Sequence, residues 1–321
     1  MKKFILFICV AFAVAVSCSK VDVDGEGLGN PDFSNQVPVE LEFGGLCVDG
    51  NVVTTKMVDE VSGNTHTFSW EADDKISMIL HTTPTSSGLP VGAKVFNCSS
   101  NVFSASKAGA TSTFKGMLPK SAIQELFGST GGVRIWAIYP AQTLTVADEL
   151  TTDYSYTNYH ITGPSIPSVQ DGTGFKYCYF VSSGSTFNLQ YFTMSSSGVD
   201  TFHLSNALIK FATSSTKDIV KVEINGPKSR LSGDIIYYTG RYGVQLGVGG
   251  RSLIIENEGK TLSSELYFAC AEIKASDTIT FKFTASDNTI ATKQLMTSTG
   301  YGSQKIYDLG TVTLDNWTSA E

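Results

Sequence analysis

From Val37 onward the chain alternates apolar and polar positions with a period of two. Val37, Val39, Leu41 and Phe43 alternate with Pro38, Glu40 and Glu42, so one set faces a core and the other faces water, as a half-buried strand requires. The alternation recurs at Val220, Val222 and Ile224 before the breaker Asn225-Gly226-Pro227. It recurs at Tyr242, Val244, Leu246 and Val248 after Thr239-Gly240-Arg241, and at Ile279, Phe281 and Phe283 before Ser286-Asp287-Asn288. Val133 to Tyr139 is apolar at nearly every position, which predicts a strand covered on both faces. One short helix is predicted over Ser121 to Phe127, where Ser121 and Gln124 have capping-box spacing and Gly128 can end it. The chain therefore reads as all-β, and its Ser/Thr/Gly-rich turns favour β-sandwiches, with Thr193 to Asp200 as the candidate junction between two domains.

The first residues break this pattern. Met1-Lys2-Lys3 supplies a positive start and Phe4 to Val16 an apolar run too short to span a bilayer as a helix of roughly 20 residues. This is a signal-peptide pattern, assigned to residues 1–17. Ala15-Val16-Ser17-Cys18 resembles the lipobox of bacterial lipoproteins, which implies cleavage between Ser17 and Cys18 and lipidation of Cys18. Residues 18–36, rich in Gly and Asp, read as a lipidated flexible tether. The full chain has 41% hydrophobic and 17% charged residues, fitting a globular exported protein. A net charge of −7 with no basic stripe argues against nucleic acid as a partner.

No constellation of residues points to catalysis. His66, His81, His160 and His203 form no close ligand pair, and no Gly-x-Ser-x-Gly elbow occurs. Asp73-Asp74 lacks the ligand spacing of a calcium loop and Asp22/Asp24 lies in the tether segment, so both pairs read as solvated carboxylates. Gly247-Val248-Gly249-Gly250-Arg251-Ser252 is followed by strand-like Leu253-Ile254-Ile255 rather than a helix, so it reads as a turn and not a phosphate loop. Cys47, Cys98, Cys178 and Cys270 match no zinc spacing and are read as free core thiols rather than disulfides. The tyrosines of Tyr154-Ser155-Tyr156-Thr157-Asn158-Tyr159-His160 could stack on sugars or form one sheet face; the sheet face is the favoured reading. No catalytic residue, cofactor site or metal site is assigned.

Several segments, in order, resemble the fimbrillin family of Bacteroidales, the lipoprotein subunits of surface pili. They are Phe68-Ser69-Trp70-Glu71-Ala72-Asp73-Asp74-Lys75-Ile76, with Asp73 where the family commonly has glycine, and Phe114-Lys115-Gly116-Met117-Leu118-Pro119 followed by Ile135-Trp136-Ala137-Ile138-Tyr139-Pro140. Phe202 to Phe211 resembles the strand that opens the family's second domain, with Asn206 at a usual histidine, and Gly302 to Trp317 resembles its closing strands. Each motif alone is a common strand pattern; their order, together with the lipobox, carries the resemblance.

The resemblance implies two tandem transthyretin-like β-sandwich domains, over 37–199 and 200–321, in a structural or adhesive fimbrial subunit on the outer membrane surface. It also implies a mechanism. A trypsin-like protease removes the first strand of the lipidated precursor, and a strand from a neighbouring subunit fills the groove by β-augmentation. No Lys or Arg occurs between Lys20 and Lys56, so cleavage after Lys56 would release Val37 to Phe43 intact, whereas an Arg-specific protease finds no target before Arg134. Lys305 to Leu314 is a candidate donor strand, although nothing in its sequence distinguishes donor from core. The implied partners are other fimbrial subunits, the outer membrane through the lipid anchor, and a host protein or glycan. The alternative reading is a surface glycan-binding lipoprotein, with Tyr154, Tyr156 and Trp136 as the contact aromatics. A secreted hydrolase ranks last.

Overall fold

A computed structural model describes residues 36–48, 51–52, 69–82, 95–98, 101–126, 133–146, 151–153, 156–158, 160–173, 175–188, 193–194, 200–238, 244–303 and 305–319. The signal peptide, the tether with Ser17 and Cys18, and Lys56 lie outside these residues. The first strands are β1 (Gln36–Val48), β2 (Asn51–Val52), β3 (Lys75–Thr82), β4 (Val95–Asn97), β5 (Phe103–Ala105) and β6 (Ser112–Pro119), followed by helix α1 (Lys120–Leu126). There follow β7 (Val133–Tyr139), β8 (Thr145–Val146), β9 (Thr151–Asp153), β10 (Tyr156–Asn158), β11 (His160–Ile166), β12 (Val169–Gln170), β13 (Phe180–Asn188) and β14 (Thr193–Met194). Next come β15 (Asp200–Leu204), β16 (Ala207–Ser215), β17 (Ile219–Asn225), β18 (Ser232–Tyr238), β19 (Val244–Gly250) and β20 (Ser252–Glu256). The last are β21 (Glu265–Cys270), β22 (Thr278–Ala285), β23 (Thr289–Met296), β24 (Ile306–Leu314) and β25 (Thr318–Ser319).

The first sheet closes on itself. Its hydrogen bonds run from β13 through β15, β1, β6, β5 and β3 to β7, and β7 pairs back to β13. All pairings in this ring are antiparallel except β1 with β15. Closure gives each of the seven ring strands a hydrogen-bonded neighbour on both sides, while the short β2, β4 and β14 pair outside the ring. Inside it the period-two side chains Val39, Leu41 and Phe43 meet Trp70, Phe103, Phe114, Phe180 and Phe202 in one core. The continuous apolar run of β7 now has its reason. Val133, Ile135, Ala137 and Tyr139 enter this core, while Trp136 and Ile138 enter a second one on the outer face.

That second core is covered by a four-stranded sheet in the order β19-β18-β11-β8, whose Ile161, Ile166, Ile235 and Tyr237 pack on Ile79, Trp136, Ile138, Ala269 and Ala271. A third core lies between the six-stranded sheet β12-β20-β17-β22-β23-β25 and the three-stranded sheet β21-β16-β24. It is built on the alternating Val222 and Ile224 of β17 and Ile279, Phe281 and Phe283 of β22, with Phe211 edge-to-face against Phe268, Phe281 and Phe283. The all-β, multi-sheet architecture is as the periodicity requires.

Local departures from the sequence reading have local causes. Helix α1 begins at Lys120, one residue ahead of the expected start, because Pro119 closes the β6 ladder opposite Gln36 and the chain turns directly into the helix. Gly247 to Gly250 is extended strand within β19 rather than a turn, and the bend falls at Arg251. Its glycines serve close approach: a Cβ on Gly249 would collide with the Ser232 carbonyl of β18. Phe202 to Phe211 is two strands, because the chain breaks at Ser205-Asn206. There the Asn206 side-chain oxygen accepts the Tyr179 N–H at 3.0 Å, and β15 stays in the first sheet while β16 enters the third core.

Candidate functional site

The element that stands out is β1, which lies between β6 and β15 in the closed ring. Its antiparallel ladder with β6 runs from Gln36 opposite Pro119 to Phe43 opposite Ser112, and its parallel pairing with β15 joins Phe43 to Asp200 and Leu46 to Phe202. Taking out β1 opens two edges, that of β6 along Gln36 to Phe43 and that of β15 along Phe43 to Cys47, which meet at Phe43. The slot so opened would be floored by the side chains that now hold Val39, Leu41, Phe43 and Leu46, all at most 2% exposed. Fully burying such side chains stabilises by about 1.5–3 kcal/mol each. Glu40 and Glu42 on the other face are exposed, and the Glu40–Lys115 ion pair at 2.7 Å contributes little in that solvated setting.

Phe43 sits at the centre. Its ring lies edge-to-face with Phe114 at 5.6 Å and with Phe202 at 5.3 Å, and Trp70 packs edge-to-face on both of those rings. Directly after Phe43 the strand slips register against β15, and there the Trp70 indole Nε1–H donates to the Gly44 carbonyl at 2.8 Å. Trp70 is fixed from elsewhere, through reciprocal 3.0 Å backbone hydrogen bonds with Gly109.

Asp74 secures the same loop and is not the solvated carboxylate expected from the sequence. Its carboxylate accepts from the Glu71 N–H at 2.7 Å and from the Tyr139 hydroxyl at 2.9 Å. Partial burial raises its pKa above the ordinary carboxylate value, against the lowering effect of those two bonds. Burial likewise raises the Tyr139 phenol, with the Asp74 charge adding to it. Asp73 has φ +71°, a left-handed conformation that glycine adopts freely and aspartate tolerates.

The structure separates the other residues singled out from sequence. Trp136, offered as a sugar contact, is 5% exposed and packs edge-to-face on Tyr237, so it is a core residue covered by the four-stranded sheet. Tyr154 lies outside the described residues; Tyr156 and His160 are on strands β10 and β11. His81 is buried in the first sheet, and the His203 ring lies 3.3 Å from the Thr201 hydroxyl. Cys98, Cys178 and Cys270 are buried thiols outside any disulfide, and burial pushes the Cys98 pKa up to about 12, which makes it a packing residue. Cys47 lies on β1. Among the described residues no cluster of His, Cys, Asp or Glu could hold a metal ion, and no helix is long and apolar enough to cross a membrane.

At the other end of the chain, β24 pairs in parallel with β16 and, among the described residues, with no other strand. Most of its residues are partly or fully exposed, and only Leu314 is buried. The opposite edge of that sheet is covered instead: the Gln170 side-chain amide bonds both the N–H and the carbonyl of Ala269 on β21, and the Gly172 carbonyl accepts the Tyr267 N–H. β24 also repeats β1 in a way the sequence reading missed. Leu41-Glu42-Phe43-Gly44-Gly45-Leu46 and Tyr307-Asp308-Leu309-Gly310-Thr311-Val312 share the order apolar, acidic, apolar, glycine, any residue, apolar. Both strands pair in parallel, and in both the glycine lies inside a register slip, between Phe43 and Leu46 in β1 and between Asp308 and Thr311 in β24. Direct alignment of the two segments would have found it.

The class defined by these features is an all-β chain of several sheets whose first described strand completes a closed ring. No known family profile matches the chain, and no curated protein matches it. Solved structures do resemble it over most of both chains. One is a candidate cell adhesion protein from Bacteroides uniformis, at 9% identity and a TM-score of 0.45, covering 91% of this chain and 98% of that one. Another, from Bacteroides ovatus, has 14% identity and a TM-score of 0.45, covering 89% and 96%. The tip fimbrial protein Mfa3 from Porphyromonas gingivalis has 9% identity and a TM-score of 0.32, covering 81% and 82%.

Proposed function

We propose that this chain is a structural or adhesive subunit of a bacterial cell-surface fimbria, exported as a lipoprotein through Cys18 and joined to its neighbours by exchange of the β1 strand. The observation that carries this reading is the position of β1. It is the first strand of the described chain, it is paired on both sides, and it contributes four fully buried apolar side chains. Lys56 is the first basic residue after Lys20, so cleavage there removes β1 together with its hairpin partner β2 and leaves the remaining strands of the ring in place.

The opened slot is then filled by β-augmentation, in which backbone bonds to β6 and β15 supply strength and alternate side chains supply fit. β24 of a second copy is the best-matched occupant among the described strands, because it repeats β1 and, among the described residues, is paired on one side only. In this account the outer membrane holds the precursor through its lipid, and the partners of the mature protein are other fimbrial subunits. The burial of Trp136 removes one of the three aromatics on which the glycan-binding alternative rested.

The test is electron microscopy of cell-surface filaments labelled with antibody to this protein, alongside denaturing gels of unheated samples. The expected result is labelling along or at the end of filaments and a heat-dissociable ladder of oligomers. Unlabelled filaments with a purely monomeric protein would overturn the proposal.

A further inference from the structure

We propose that Trp70 is the specificity-determining residue of the strand slot. Its indole N–H and the aromatic pocket around Phe43 together select a strand that carries a bulky apolar residue followed immediately by a kink of small residues, and so fix that strand's register. This inference rests on the strand-exchange reading and names what the slot recognises.

The geometry separates what holds Trp70 from what Trp70 holds. Its backbone is paired with Gly109, its ring packs edge-to-face on Phe114 at 4.8 Å, Tyr139 at 5.1 Å and Phe202 at 5.1 Å, and none of these belongs to β1. The donor is therefore aimed before any strand arrives. What it meets is the Gly44 carbonyl, one residue beyond the end of the β6 ladder and inside the register slip against β15. Gly44 and Gly45 are both buried there.

A regular strand slides in steps of two residues while still satisfying the ladder and keeping its faces. A kinked strand cannot do so here, because only one alignment places a carbonyl on the Trp70 N–H and a large side chain between Phe114 and Phe202. Any other leaves a fully buried indole donor unpaired. The occupant class is thus an extended segment of the type apolar, acidic, apolar, glycine, any residue, apolar. Segment 307–312 of a second copy meets it.

The experiment uses the full chain with a site for a sequence-specific protease placed between Val52 and Lys56, cut but otherwise intact. Uptake of two fluorescent synthetic peptides is measured, one copying Gln36–Val48 and one with the Gly44–Gly45 amide replaced by an ester, which weakens the Gly44 carbonyl as an acceptor. Both are measured again with Trp70→Phe, which keeps an aromatic ring in the pocket and removes the N–H. The expected loss on ester substitution is about 3–10-fold with Trp70, the range of one neutral hydrogen bond, and under about 2-fold with Trp70→Phe. An equal loss in both backgrounds overturns the role of Trp70 while leaving strand exchange standing. Uptake of neither peptide by the cut chain overturns both.

Discussion

Replacing Phe43 by alanine tests how much of the closed ring depends on its first strand. The Phe43 ring is 0% exposed and sits between Phe114 and Phe202. Losing its buried apolar surface costs about 2–3 kcal/mol, and each edge-to-face pair adds roughly 0.5–1.5 kcal/mol. Strands pair on both sides of β1, so the walls of the cavity cannot close easily, and the whole loss should fall at about 3–5 kcal/mol. Urea unfolding followed by tryptophan fluorescence suits the measurement, because Trp70 lies 5.1 Å from the ring of Phe202 in the same core. Glu42→Ala, one residue away on the exposed face, should change stability by no more than about 0.5 kcal/mol. A loss below about 1 kcal/mol for Phe43→Ala, or equal losses for the two variants, would refute the claim that this strand is locked in by its inward side chains.

Further outcomes follow from the same structure. Asp277 is buried; burial raises its pKa, but hydrogen bonds from the Ser229 hydroxyl and the Lys228, Thr278 and Ser229 N–H groups outweigh this and hold it below the ordinary 3.8. A carboxylate depressed in the folded state contributes stability above its unfolded pKa that is lost as pH falls through the folded one. Asp277→Asn should therefore destabilise the protein by about 1–3 kcal/mol at neutral pH and flatten the loss of thermal stability below pH 3.8, as read by melting temperature against pH. Gly249→Ala, whose Cβ would strike the Ser232 carbonyl, should cost about 1–3 kcal/mol in denaturant melts. Gly259→Ala, at φ +74° in open space, should cost only about 1–2 kcal/mol from backbone strain. Lys56→Ala should leave the chain uncut in cells, as seen by its mass, and should abolish its incorporation into filaments.

The strands were legible wherever one face meets a core and the other meets water. β22 follows its alternation residue for residue, β1 follows it from Val39 onward, and β17 follows it from Val222 onward, a register irregularity between Ile219 and Lys221 placing Ile219 rather than Val220 in the core; the apolar run of β7 is explained by cores on both of its faces. What could not be read depends on partners distant in sequence. Asn206 ends a strand because Tyr179 donates to its side chain, 27 residues away. Gly249 and Gly250 lie in a strand rather than a turn, and their lack of a side chain answers the close approach of Ser232 on β18. The burial of Trp136 follows from the apolar run that contains it, but the sheet that covers it is assembled from residues 145–250, which the run does not reveal. Ring closure through β7 and the hydrogen bond from Trp70 to Gly44 join segments that no local pattern relates. The kinship of β1 and β24 was present in the letters, but it takes meaning from their shared parallel pairing and register slip.

The most direct test of the central claim is the N-terminus of the protein recovered from purified surface filaments. Sequencing should find chains that begin at Met57, with β1 removed and its slot occupied by a neighbour. Filament subunits that still begin at Cys18 and retain Gln36–Val48 would contradict assembly by exchange of this strand.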